Sequence, residues 1–81
     1  MKLPVISGFE MIKLLGKLGF RQLDQTGSHV IMFREDERGK FRPVVPLSRE
    51  LAIGTMLSII KQAGLNRDEF LEIYYGKKYI K

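Results

Sequence analysis

The sequence predicts a small α+β domain in which a three-stranded antiparallel sheet packs on helices, in the order α-β-β-β-α-α. Three observations carry this. Ser7 and Glu10 stand three residues apart at the head of an apolar run with helical spacing, the signature of a capping box. The segment from His29 to Arg34 alternates with the period of a strand, setting His29, Ile31 and Phe33 on one face and Val30, Met32 and Arg34 on the other. A second helical pattern runs from about Gly54 to Ala63, and Asn66 with Glu69 marks the head of a last helix.

Taken in order, the first helix carries Met11, Ile12, Leu15 and Leu18 on its apolar stripe and stops at Gly19. Lys13 and Lys17 fall opposite that stripe. Phe20 to Gln25 is mostly polar and suits a strand with one wet face. Thr26-Gly27-Ser28 is turn chemistry, and His29 to Arg34 is the central strand. Glu35 to Lys40 reads as a charged, solvated hairpin loop in which Gly39 frees the backbone. Phe41 to Pro46 is the third strand. Its Pro43 and Pro46 cannot donate to a ladder, so it belongs at an edge.

Ser48 to Ile53 connects to the second helix. That helix sets Met56, Ile59, Ile60 and Ala63 on one face and Ser58, Lys61 and Gln62 on the other, and Gly64 ends it. The last helix runs through Phe70, Leu71 and Tyr74 to Gly76, before a basic tail from Lys77 to Lys81. A short meander cannot bury itself. Amphipathic helices on one of its faces close a two-layer core and leave the other face wet. Phe20, Phe33 and Phe41 are assigned to that core rather than to base stacking.

The length of 81 residues gives one domain, 1–81, and a hydrophobic fraction of 44% allows a modest core. With no cysteine there is neither a disulfide nor a thiolate. The N-terminus has no apolar stretch of signal-peptide length and no run approaches a membrane span, so a cytoplasmic location is expected. The net charge of +5 points to a polyanionic partner, of which nucleic acid is the commonest. The charge is concentrated. Between Met11 and Arg34, Lys13, Lys17, Arg21 and Arg34 face the single acid Asp24, while Glu35, Asp36, Glu37, Asp68, Glu69 and Glu72 lie elsewhere.

His29 is the only imidazole, and imidazole is the side chain that titrates near neutrality without perturbation. One histidine without cysteine does not make zinc-type ligation, and no glycine-rich phosphate loop is present, so no metal and no small-molecule cofactor is expected. Ser28 adjoins His29, but neighbours on a strand point to opposite faces, which speaks against a serine nucleophile paired with it. A lone acid/base beside cations suits metal-independent RNA cleavage, because RNA brings its own nucleophile, the 2′-hydroxyl. Lys13, Lys17, Arg21 and Lys61 are the phosphate-binding candidates. Ser28 and Gln25 are candidates to contact RNA or orient His29. A lone strand histidine is also a common structural residue. On the residues alone, a nuclease and a non-catalytic RNA-binding module stand equal.

Leu18-Gly19-Phe20, then Gln22, then Thr26-Gly27-Ser28-His29-Val30-Ile31-Met32 resemble the HicA toxin family, also called YcfA-like. So do Val44-Val45-Pro46, the stretch from Gly54 to Leu65, and Asp68-Glu69-Phe70-Leu71. Each fragment is weak, but their order and spacing are specific, and the resemblance runs from about Ser7 to Leu71. It implies a fold similar to double-stranded-RNA-binding domains, cleavage of mRNA, and a HicB-like antitoxin protein as partner. It places the catalytic histidine of the family's Gly-Ser-His motif at His29. Many members carry a further histidine shortly after the Val-Pro of the third strand. Here Pro46 is followed by Leu47, Ser48 and Arg49, which leaves water, a lysine or His29 itself to protonate the leaving oxygen.

Overall fold

The computed structural model describes residues 2–76, so the basic tail lies outside the described residues. The elements are α1 (Gly8–Lys17), β1 (Arg21–Thr26), β2 (His29–Asp36), β3 (Gly39–Phe41), β4 (Val44–Pro46), α2 (Ile53–Gln62) and α3 (Arg67–Tyr75). The α+β class and the order of elements are those the sequence predicts, with four strands in place of three.

Both capping boxes form. The Ser7 hydroxyl accepts from the Glu10 amide at 3.1 Å while the Glu10 carboxylate accepts from the Ser7 amide at 2.8 Å. Asn66 and Glu69 repeat the exchange at the head of α3. Each box satisfies amide groups that a helix start leaves without an internal partner.

The sheet is built around β2. On one side it pairs antiparallel with β1, in a register running from Thr26↔His29 to Arg21↔Phe33 with an irregularity between Gln22 and Asp24. On the other side it pairs with β4 at His29↔Pro46 and Ile31↔Val44, and with β3 at Arg34↔Phe41. That register runs on without a slip from β3 to β4. The two are one predicted strand interrupted at Arg42-Pro43, where proline has no amide to give but its carbonyl still accepts from the Met32 amide at 2.9 Å. The edge position expected from the prolines holds. The Leu47 amide bonds back to the Ser28 carbonyl, so antiparallel alternation turns positions 44 and 46 outward. Pro46 loses nothing there, and the Val44 amide is taken by Gln62 Oε1 of α2 at 3.1 Å.

Met11, Leu14 and Leu15 of α1, Val30 and Met32 of β2, Val45 of β4, Met56, Ile59 and Ile60 of α2, and Phe70, Leu71 and Ile73 of α3 form one core with Ile6, Phe20, Leu51 and Ala63. All the helices therefore lie on the Val30/Met32 face of the sheet. Three expectations need correction. All six β1 residues are exposed, so this strand is wet on both faces. It rests on β2 along one edge and no helix covers it.

Phe33 is half-buried on the open face and takes no part in the core, because strand alternation sets it with His29. Phe20 is buried and Phe41 packs against the core as expected.

The segment from Glu35 to Lys40 is a two-residue turn with strand on either side, not a loop. Its Asp36 is tied down: the carboxylate pairs with Arg34 and accepts from the Arg38 amide at 2.8 Å and the Arg38 guanidinium at 3.3 Å. The Arg34 bond first, then the Arg38 amide, hold its carboxyl down to about 2 from an ordinary 3.8. A depressed folded-state value stabilises the fold above the unfolded value and is lost as pH falls from about 4 to about 2. Thermal melts of Asp36→Asn are thus expected to lie below those of the parent at neutral pH and to converge with them near pH 2. A gap independent of pH would refute the linkage.

Candidate active site and nucleic-acid interface

His29 owes its position to the hairpin before it. Thr26 and His29 are the closing pair, and Gly27-Ser28 form a two-residue turn. Gly27 has φ +57° and no residue other than glycine has positive φ among those described, which matches a turn needing glycine at its first central position. Ser28 is therefore a turn residue and not a strand neighbour. Its carbonyl is bonded to the Leu47 amide at 2.7 Å, which pins the hairpin to the far end of β4. Gln25 Nε2 donates to the Gly27 carbonyl at 3.2 Å and braces the same turn.

His29 is exposed and stands between Thr26 and Pro46 on the open face of the sheet. Among the described residues no side chain hydrogen-bonds its ring, and the residue is exposed to solvent. The same face carries Asp24, Ile31 and Val44 in the next row and Arg21, Phe33 and Arg42 in the one after, as the register dictates. Among the described residues, no three histidine, aspartate or glutamate side chains come close enough to hold a metal ion.

The structure thus gathers His29, Ser28 and Gln25 at one hairpin, with Gln25 turned to the opposite face by its pairing with Val30, and sets Arg21 on the His29 face, four residues farther along β2 by its pairing with Phe33. It does not bring the lysines there. Lys13 and Lys17 are exposed on α1, along a groove shared with Glu10, Leu14 and Tyr74, in the helical layer. Lys61 is exposed on α2 beside Gln62, at the β4 edge. Sequence reasoning missed Arg42 and Pro46 as members of the His29 face. It set Phe33 on that face by the period-2 pattern through His29, Ile31 and Phe33, yet assigned the ring to the core.

An exposed, hairpin-borne histidine on the open face of a small antiparallel sheet, with three helices on the other face, defines the class: a small α+β domain. The sequence profile of the family described as HicA toxin of bacterial toxin-antitoxin matches residues 8–65, from the first residue of α1 to just past the end of α2. The chain belongs to the HicA toxin family. Helix α3 lies beyond the matched segment yet supplies Phe70, Leu71 and Ile73 to the core. No match was found among curated proteins or among solved structures. Family membership implies an antitoxin partner, and no helix among the described residues is long and apolar enough to cross a membrane.

Proposed function

We propose that this chain is a metal-independent endoribonuclease toxin that cleaves mRNA and is held inactive by a HicB-like antitoxin protein. The observation that supports it is the exposed His29, the sole imidazole, fixed by a two-point hairpin anchor on an open face within a HicA-type chain. His29 takes the proton of the RNA 2′-hydroxyl, and that oxygen attacks the adjacent phosphorus. The bond from phosphorus to the 5′ oxygen breaks, leaving a 2′,3′-cyclic phosphate, and the departing oxygen takes up a proton to become a 5′-hydroxyl. His29, having gained a proton, can return it there.

In this reading Ser28 contacts RNA beside the imidazole, while Gln25, on the opposite face by its pairing with Val30, orients His29 by holding the turn through the Gly27 carbonyl. Arg21 neutralises phosphate on the same face, and Lys13, Lys17 and Lys61 hold more distant stretches of the strand. The competing reading is an RNA-binding module without catalysis. Incubation of the purified chain with mRNA in excess chelator separates the two, since the nuclease cleaves and the module only binds. Replacing Lys13 and Lys17 together by alanine should weaken RNA binding and make its salt dependence shallower by about 0.7 per lost contact to a single strand. An unchanged salt slope would remove the α1 lysines from the interface, and a strict need for divalent ions would remove the mechanism.

A further inference from the structure

Three arginines lie over phenylalanine rings among the described residues, and two of them have structural work. Arg34 lies over Phe20, donates to the Leu18 carbonyl at 2.8 Å and pairs with Asp36, while its ring partner is buried. Arg38 lies over Phe41, which packs against the core, and it too pairs with Asp36. The third differs in every respect. Arg21 sits 5.3 Å from the centre of the Phe33 ring, has no carboxylate partner among the described residues, and covers an aromatic that neither joins nor packs against the core.

Arg42 is exposed and stands across from Phe33 on the other side of β2, because the register of β3 and β4 is continuous. A half-buried ring between two guanidinium groups that pair with no carboxylate among the described residues gives no core energy and exposes apolar surface. It has the composition of a site for a flat, anionic ligand: a π-face for a base and cations for the phosphates beside it.

We propose that Phe33, with the Arg21 guanidinium laid over it and Arg42 beside it, is a stacking platform for an unpaired RNA base. It rests on the reading that RNA is the ligand. Phe33 is four residues from His29 on the same face of the same strand, about 13 Å at roughly 3.3 Å per residue. An RNA strand laid along β2 with a base on Phe33 reaches His29 with its backbone. A base inside a duplex cannot offer its face to the ring, so the platform selects single-stranded segments.

The chain has no tryptophan, so Phe33→Trp introduces a unique indole at the site. In a His29→Ala background the RNA stays intact. Single-stranded RNA should then quench the indole saturably, and a duplex of the same sequence should quench it only at about tenfold higher concentration. In the chain with His29 retained, Phe33→Leu should raise KM for a single-stranded substrate about tenfold with kcat little changed, and Phe33→Tyr should restore it. Equal quenching by both forms, or an unchanged KM in Phe33→Leu at an unchanged melting temperature, overturns the platform and leaves the nuclease reading standing. Selective quenching without any cleavage by the His29 chain removes the nuclease reading and supports the platform. Normal cleavage by Phe33→Leu with loss of antitoxin binding overturns the platform and assigns this face to protein docking.

Discussion

His29→Ala is expected to lower RNA cleavage by at least about a hundredfold and to abolish growth arrest on expression, while leaving the melting temperature close to that of the parent. The size follows from general acid–base catalysis, which contributes about 10²–10⁴-fold when a positioned group moves the proton. No second imidazole exists to substitute for it, and lysine and arginine side chains are protonated near neutral pH and make poor acceptors. The stability side follows from exposure. His29 makes no side-chain hydrogen bond among the described residues and sits on the face away from the core, where substitutions cost about 0.5 kcal/mol or less. RNA binding by the variant should persist, since the proposed phosphate-binding residues are elsewhere. Cleavage by His29→Ala within tenfold of the parent would place the proton acceptor on another group, and loss of activity with loss of fold would make the result structural.

The site's address in the fold was legible because it rests on short-range rules. A glycine at the first central position of a two-residue turn, followed by an alternating strand, fixes where His29 emerges and which face it shares. The capping boxes at Ser7 and Asn66 are equally local, and both form where the spacing sets them. What the sequence hid is set by contacts between distant segments. Phe33 has the composition of a core residue, and only the packing of all three helices on the Val30/Met32 face shows that it is not one. The charged run at Glu35-Asp36-Glu37 reads as a solvated tip, yet Asp36 gathers Arg34 and Arg38 once the strands are paired. The phosphate-binding candidates on α1 and α2 rest on charge and on lying opposite an apolar stripe, and neither says which layer a helix face looks out from. Residues on one strand share a site by construction, whereas residues on different elements share one only by tertiary placement.

Gly8→Ala is expected to destabilise the fold, against the usual direction for glycine to alanine in a helix. Gly8 opens α1 with its amide bonded to the Ser48 carbonyl at 2.9 Å. A methyl group there would stand 2.1 Å from the Pro46 carbonyl oxygen and 3.0 Å from the Leu47 Cα, both backbone atoms with no rotamer to yield. The helix start and the β4 end must part for it to fit. Overpacking of this kind costs about 1–3 kcal/mol, which at about 4–8 °C per kcal/mol for a domain of this size lowers the melting temperature by at least about 4 °C. Gly16→Ala in the same helix is the control. Nothing lies within 4 Å of its added methyl, so the ordinary gain of about 0.5–1 kcal/mol should appear.

The two variants differ in function as well. Pro46 is the cross-strand neighbour of His29, and the Leu47 amide holds the Ser28 carbonyl, so the backbone that Gly8→Ala displaces is the anchor of the His29 hairpin. Cleavage by Gly8→Ala should fall further than its folded fraction, whereas Gly16→Ala should cleave as the parent does. Equal melting temperatures for the two would show that the α1–β4 contact yields freely. A loss of cleavage that only tracks unfolding would show that the hairpin keeps its place without that contact.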